Sequence, residues 1–88
     1  MAERYDVVCK VISQKGTCGA EHKVGDEWVI SGSTPAGMCL SLFDAMYPSL
    51  RVLKFGGAHP WDSDPDVTTV ACPDAENPLV VELRRVRK

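Results

Sequence analysis

The chain contains no uninterrupted apolar run of the roughly eighteen residues that a membrane helix needs. No membrane association is therefore expected. It has no secretory leader pattern either: Met1 to Ser13 carries charges at Glu3, Arg4, Asp6 and Lys10 and no long apolar stretch. The expected location is the cytoplasm, where thiols stay reduced and structural disulfides are rare. There is no phosphate-cradling glycine loop, no H-E-x-x-H, no G-x-S-x-G and no dinucleotide fingerprint. Paired carboxylates at acid–base spacing are missing too. These gaps do not exclude catalysis, but they remove every specific reason to expect an enzyme. There are four cysteines, yet no C-x-x-C pair, and zinc modules usually carry at least one close pair.

Eighty-eight residues suffice for one domain, 1–88, with a single core of about two layers. A domain of that size has little stability in reserve and no room for a core plus a large cleft. The formal net charge is −2, which gives no broad attraction to nucleic acid. The charge is uneven. Asp62, Asp64, Asp66, Asp74 and Glu76 lie in a stretch without Lys or Arg, whereas Arg84, Arg85, Arg87 and Lys88 crowd the C-terminus against Glu82 alone. Both stretches read first as solvated surfaces. The basic tail is also open to a docking role, but it lacks interleaved aromatics and any nucleic-acid motif, so no nucleic-acid partner is expected.

Alternation predicts a strand over Tyr5–Gln14, with Tyr5, Val7, Cys9 and Val11 on one face. Both faces carry apolar residues, which suits a strand that is central or covered on both sides. Lys23–Ser31 reads as a second strand, with a turn at Gly25-Asp26 near its beginning and apolar, β-favouring residues at its end. Cys39, Phe43, Met46, Leu50 and Leu53 recur at helical spacing. Ser41 and Asp44 resemble a capping box. Pro48 predicts a break, with a short helix to about Met46 and a second turn or helix after it. Gly56-Gly57 predicts the stop. Val67–Cys72 and Leu79–Val86 read as an antiparallel hairpin, with Leu79, Val81 and Leu83 inward and Glu82 and Arg84 outward. The expected class is α+β: a small antiparallel sheet, order β-β-α-(α)-β-β, with one or two short helices on one face.

The punctuation of the chain resembles a family of small, uncharacterised prokaryotic proteins of about this length, a domain of unknown function. The resemblance rests on Gly16-x-Cys18, His22-Lys23-Val24-Gly25-Asp26, Pro35-x-Gly37-x-Cys39 and Tyr47-Pro48. Phe55-Gly56-Gly57, Pro60-Trp61, Cys72-Pro73-Asp74 and Glu82-Leu83-Arg84-Arg85 complete it. The chain departs from the pattern at Glu21, usually Gly, and at Leu40, often Pro. The resemblance transfers no catalytic residue. It implies that Cys18, His22, Cys39 and Cys72 belong to the pattern and that Cys9 does not.

Those four side chains are the candidate metal ligands. Thiolates and an imidazole suit zinc or another thiophilic metal, and all four sit at turns or element ends, where side chains can be aimed. A metal there would tie the first loop, the helix start and the hairpin together. Their spacing is irregular, and the competing expectation is that the cysteines are small core residues and His22 an ordinary hydrogen-bonded side chain. A thiol or redox role for Cys39 is the alternative chemistry. A thiolate just before a helix start is favoured by unpaired N–H groups, and His22 or His59 would serve as base. A purely structural interaction subunit, with a protein partner or a second copy, is a third class. His59-Pro60-Trp61 reads either as the lining of a small pocket or a partner surface, or as a lid over the core. Asp62-x-Asp64-x-Asp66 opens like a calcium loop but has Val67 where Gly is needed and Pro73 where Glu is needed.

Overall fold

The structure, a computed structural model, describes residues 4–17, 19 and 22–86. Strand β1 (Val7–Gln14) is followed by β2 (Glu27–Ile30), helix α1 (Leu40–Lys54), β3 (Val67–Ala71) and β4 (Leu79–Arg85). The strands form one antiparallel sheet in the order β2-β1-β4-β3. Helix α1 crosses one face and packs on β1, β3 and β4. This is the α+β class expected from the sequence, and β1 is central.

The alternation in the sequence sets the core. Val7, Cys9 and Val11 from β1 meet Leu79, Val81 and Leu83 from β4 and the helix above them, all essentially inaccessible. Each of these valine and leucine side chains contributes about 1.5–3 kcal/mol by leaving water. The other sheet face is open. Lys10 lies opposite Glu27 on one side and Glu82 on the other, and cross-strand pairs of opposite charge stabilise a wet face.

The helix departs from expectation in three ways. It is one helix, not two: Pro48 lies inside it. Pro48 and Asp44, whose carbonyl loses its partner, are both exposed, so water satisfies that carbonyl and the continuous apolar stripe prevails. The buried stripe is Leu42, Met46, Leu50 and Leu53, one residue out of the expected phase at its start, because Leu42 and Phe43 are both apolar neighbours. Ser41 does not cap the helix. Cys39 is the N-cap residue, with no side-chain cap bond, since the chain turns into the helix two residues earlier.

The C-terminus ends as Gly56-Gly57 predicts. Gly56 has φ of 85°; its N–H donates to Leu53 O and the Gly57 N–H donates to Val52 O. That is the glycine-terminated Schellman pattern.

Candidate functional site

Two turns and the helix start build a cleft of about 540 Å³. The first turn is locked by its own chemistry. The Lys23 N–H donates to the Asp26 carboxylate, the Asp26 N–H returns to Lys23 O, and Gly25 takes a φ of 98° that favours glycine. The Gly25 N–H and Asp26 O also pair with both backbone groups of Val11. His22 is thereby anchored to the central strand.

The second turn, between β3 and β4, is shaped by Asp74, whose Oδ1 accepts the N–H groups of Glu76 and Asn77. Asn77 then reaches the other loop: its Oδ1 accepts the Thr17 N–H and its carbonyl accepts from Gln14 Nε2. Gly16 makes this approach possible. It has φ of 74°, and any Cβ there would collide with the Asn77 amide. The β1–β2 loop and the β3–β4 turn are thus held side by side.

His22, Cys39 and Cys72, from three separate parts of the chain, all line the resulting cleft, with Ser41, Asp74 and Asn77 around them. His22 is buried, and its ring meets Trp28 edge-on at 5.0 Å. Its Nε2 accepts the Cys39 N–H at 2.9 Å, which places the ring proton on Nδ1. Cys72 pairs with Leu79 across the hairpin. The Cys72 N–H donates to Leu79 O at 2.8 Å, and the Leu79 N–H donates back to Cys72 Sγ at 3.3 Å. Cys39 is half-buried at the N-cap. The first intrahelical bond is the Phe43 N–H to Cys39 O, so among the described residues the N–H groups of Leu40, Ser41 and Leu42 are the donors of the first turn without an intrahelical partner.

Of the four sequence candidates, Cys18 lies outside the described residues. The other three share the cleft. Among the described residues no three His, Cys, Asp or Glu side chains stand close enough to hold a metal ion. Cys9, Cys39 and Cys72 are free thiols. Cys9 is core, as its place in the strand implies: it is fully buried, its Sγ lies 3.8 Å from Met46 Sδ, and burial pushes its thiol up to about 12. That thiol is inert.

Two expectations outside the cleft need correction. Arg85 is no tail charge: its side chain is buried, and its guanidinium donates to Asp66, to Leu53 O and Gly57 O at the end of α1, and to Pro65 O. Tyr5 lies against it, with the ring centroid 5.3 Å from Cζ. Arg87 and Lys88 lie outside the described residues. Trp61 is not a lid over the core, since it is 75% exposed. It leans on the buried His59, whose Nδ1 stands 3.7 Å from Asp62 Oδ2. Asp66, the third member of the aspartate run, is taken up by Arg85. Asn77 was missed as a cleft residue, although the spacing Asp74-x-x-Asn77 carries the turn signal that places it. No family model, no curated protein and no solved structure matches this chain.

Proposed function

We propose that this protein is a small cytoplasmic binding module, belonging to the prokaryotic family it resembles, that holds zinc or another thiophilic metal through Cys18, His22, Cys39 and Cys72. The observation that carries the proposal is that His22, Cys39 and Cys72 line one cleft although they are far apart in sequence. Two further features favour it. The Leu79 N–H aimed at Cys72 Sγ is the kind of outer bond that steadies a thiolate ligand. The unpaired N–H groups at the start of α1 give the cleft wall a positive character that offsets thiolate charge. Ligation by either ring nitrogen of His22 displaces its bond from the Cys39 N–H. Since no three ligand side chains among the described residues stand within reach of one ion, assembly of the site involves a rearrangement of the His22 side chain and a closer approach of Cys39 and Cys72.

Elemental analysis of protein purified without oxygen tests this. About one metal per chain is expected, lost in Cys18→Ser and in Cys72→Ser but kept in Cys9→Ala. Metal-free protein from that preparation overturns the proposal. If Cys39 then alkylates far faster than Cys9 and Cys72, the cleft is a thiol site instead.

The exposed Trp61 favours a second reading, a partner-binding role, because a large aromatic in a fixed turn is a frequent anchor of interfaces. A molecular mass that rises with concentration, and no longer does so in Trp61→Ala, would assign the second copy of this chain as that partner. A strict monomer at high concentration excludes self-association.

A further inference from the structure

A second concavity lies on the far side of α1 and belongs to neither loop of the cleft. Phe43, Tyr47, Arg51 and Phe55 recur at every fourth position and form a continuous ladder. The Phe43 and Tyr47 rings stack at 5.4 Å, and Arg51 Cζ lies 5.9 Å from the Tyr47 ring centroid and 6.0 Å from that of Phe55. The guanidinium is thus steadied between two aromatic rings. Facing the ladder is the loop Ser31-Gly32-Ser33-Thr34, and between them is a groove of about 290 Å³. Lys54 closes one end, its ammonium donating to Ser31 O.

The chemistry of the groove has two halves. One is cationic and hydroxyl-rich. Arg51 and Lys54 line it, no carboxylate does, and among the described residues the Arg51 guanidinium and the Ser31, Ser33 and Thr34 hydroxyls have no hydrogen-bond partner. The other half is apolar, formed by Ile30, Leu50 and the rings. Basic side chains in a last helical turn ordinarily answer the helix's own carbonyls. Here that work is already done. Arg51 O accepts the Phe55 N–H, Val52 O accepts Gly57, Leu53 O accepts Gly56 and Arg85, and Lys54 O accepts Tyr5. The exposed Arg51 fork is therefore not engaged by the helix's own carbonyls, and a planar fork of donors matches a carboxylate or phosphate.

We propose that this groove binds a small organic oxyanion, a carboxylate or phosphate monoester carried on a flat apolar body. The oxyanion meets Arg51, Lys54 and the hydroxyl loop, and the apolar body lies along the ring ladder. The volume sits at the small end of ligand pockets, which suits a single ring. The proposal is independent of the metal site.

Phenyl phosphate, benzoate and inorganic phosphate, each titrated into the full chain and followed by amide chemical shifts, test it. Saturable binding with a Kd below about 1 mM is expected for at least one of the two ring-bearing anions, with shifts concentrated at 31–34 and 47–55. The tighter of the two names the oxyanion. Arg51→Gln should weaken binding at least tenfold, Arg51→Lys by a smaller factor, and Arg84→Gln, on the opposite face of the sheet, not at all. Absence of saturable binding overturns the proposal, as does unchanged affinity in Arg51→Gln. So does an equal loss in Arg84→Gln, or inorganic phosphate binding as tightly as the ring-bearing anions.

Discussion

Cys9 and Cys72 are the same residue type in opposite circumstances. Cys9 points into the core beside Met46, while Cys72 closes a hairpin at the edge of a cleft. The buried thiol has a consequence in alkaline solution. Its folded value is about 12 against 9.0 when exposed. Above pH 9 the unfolded chain therefore releases this proton while the folded chain keeps it, and stability falls as pH rises towards the folded value. The decline should reach about 1.4 kcal/mol per pH unit beyond that of Cys9→Ala. Denaturant unfolding at several alkaline pH values measures it, and parallel curves for the two proteins would refute the assignment. Both roles were partly legible in the sequence. Alternation marked Cys9 as core, and Cys72-Pro73-Asp74 marked a turn. Which thiols share a cleft was not, because it depends on Asn77 and Gly16 bringing together two loops about sixty positions apart.

At the scale of elements, α1 shows local preference yielding to packing. A proline inside a helix costs about 3 kcal/mol relative to alanine, and on that ground a break was expected. Burial of Leu42, Met46, Leu50 and Leu53 on one face outweighs it. Since Pro48 is exposed, Pro48→Ala should restore the Asp44 carbonyl's bond without disturbing the core. Part of that gain is offset by a freer unfolded chain, so a net stabilisation of about 1–2 kcal/mol is expected. That corresponds to several degrees in melting temperature, and a lower melting temperature would show that the ring itself is needed. The strands were easier to read than the helix. Each has a period of two and is bounded by Gly, Pro or Asp, whereas the adjacent Leu42 and Phe43 leave the phase of the helix ambiguous by one position.

For the whole molecule, Arg85 is the cross-tie. One guanidinium joins the end of α1 through Leu53 O and Gly57 O, the approach to β3 through Pro65 O and Asp66, and β4 through its own backbone. Arg85→Met keeps the aliphatic bulk but leaves those acceptors and a carboxylate without it. A loss of about 3–5 kcal/mol is expected, because breaking a buried pair strands its partner. Arg84→Met, in the exposed position next door, should stay within about 0.5 kcal/mol. Equal effects of the two, measured by denaturant unfolding, would show that Arg85 is not a cross-tie.

The sequence by itself determined what depends on neighbours along the chain. Alternation set the strand faces, glycines with positive φ set the turns and the helix stop, and the α+β class follows from the order of these elements. Only the tertiary structure decided what depends on which distant groups meet. It turned Arg85 inward, left Trp61 exposed, carried α1 through Pro48, and brought His22, Cys39 and Cys72 to one cleft. The physical reason is the same in each case. A side chain's period reports which face it lies on, but its partners are chosen by the packing of segments far apart in sequence, and burial or hydrogen bonding there outweighs local preference.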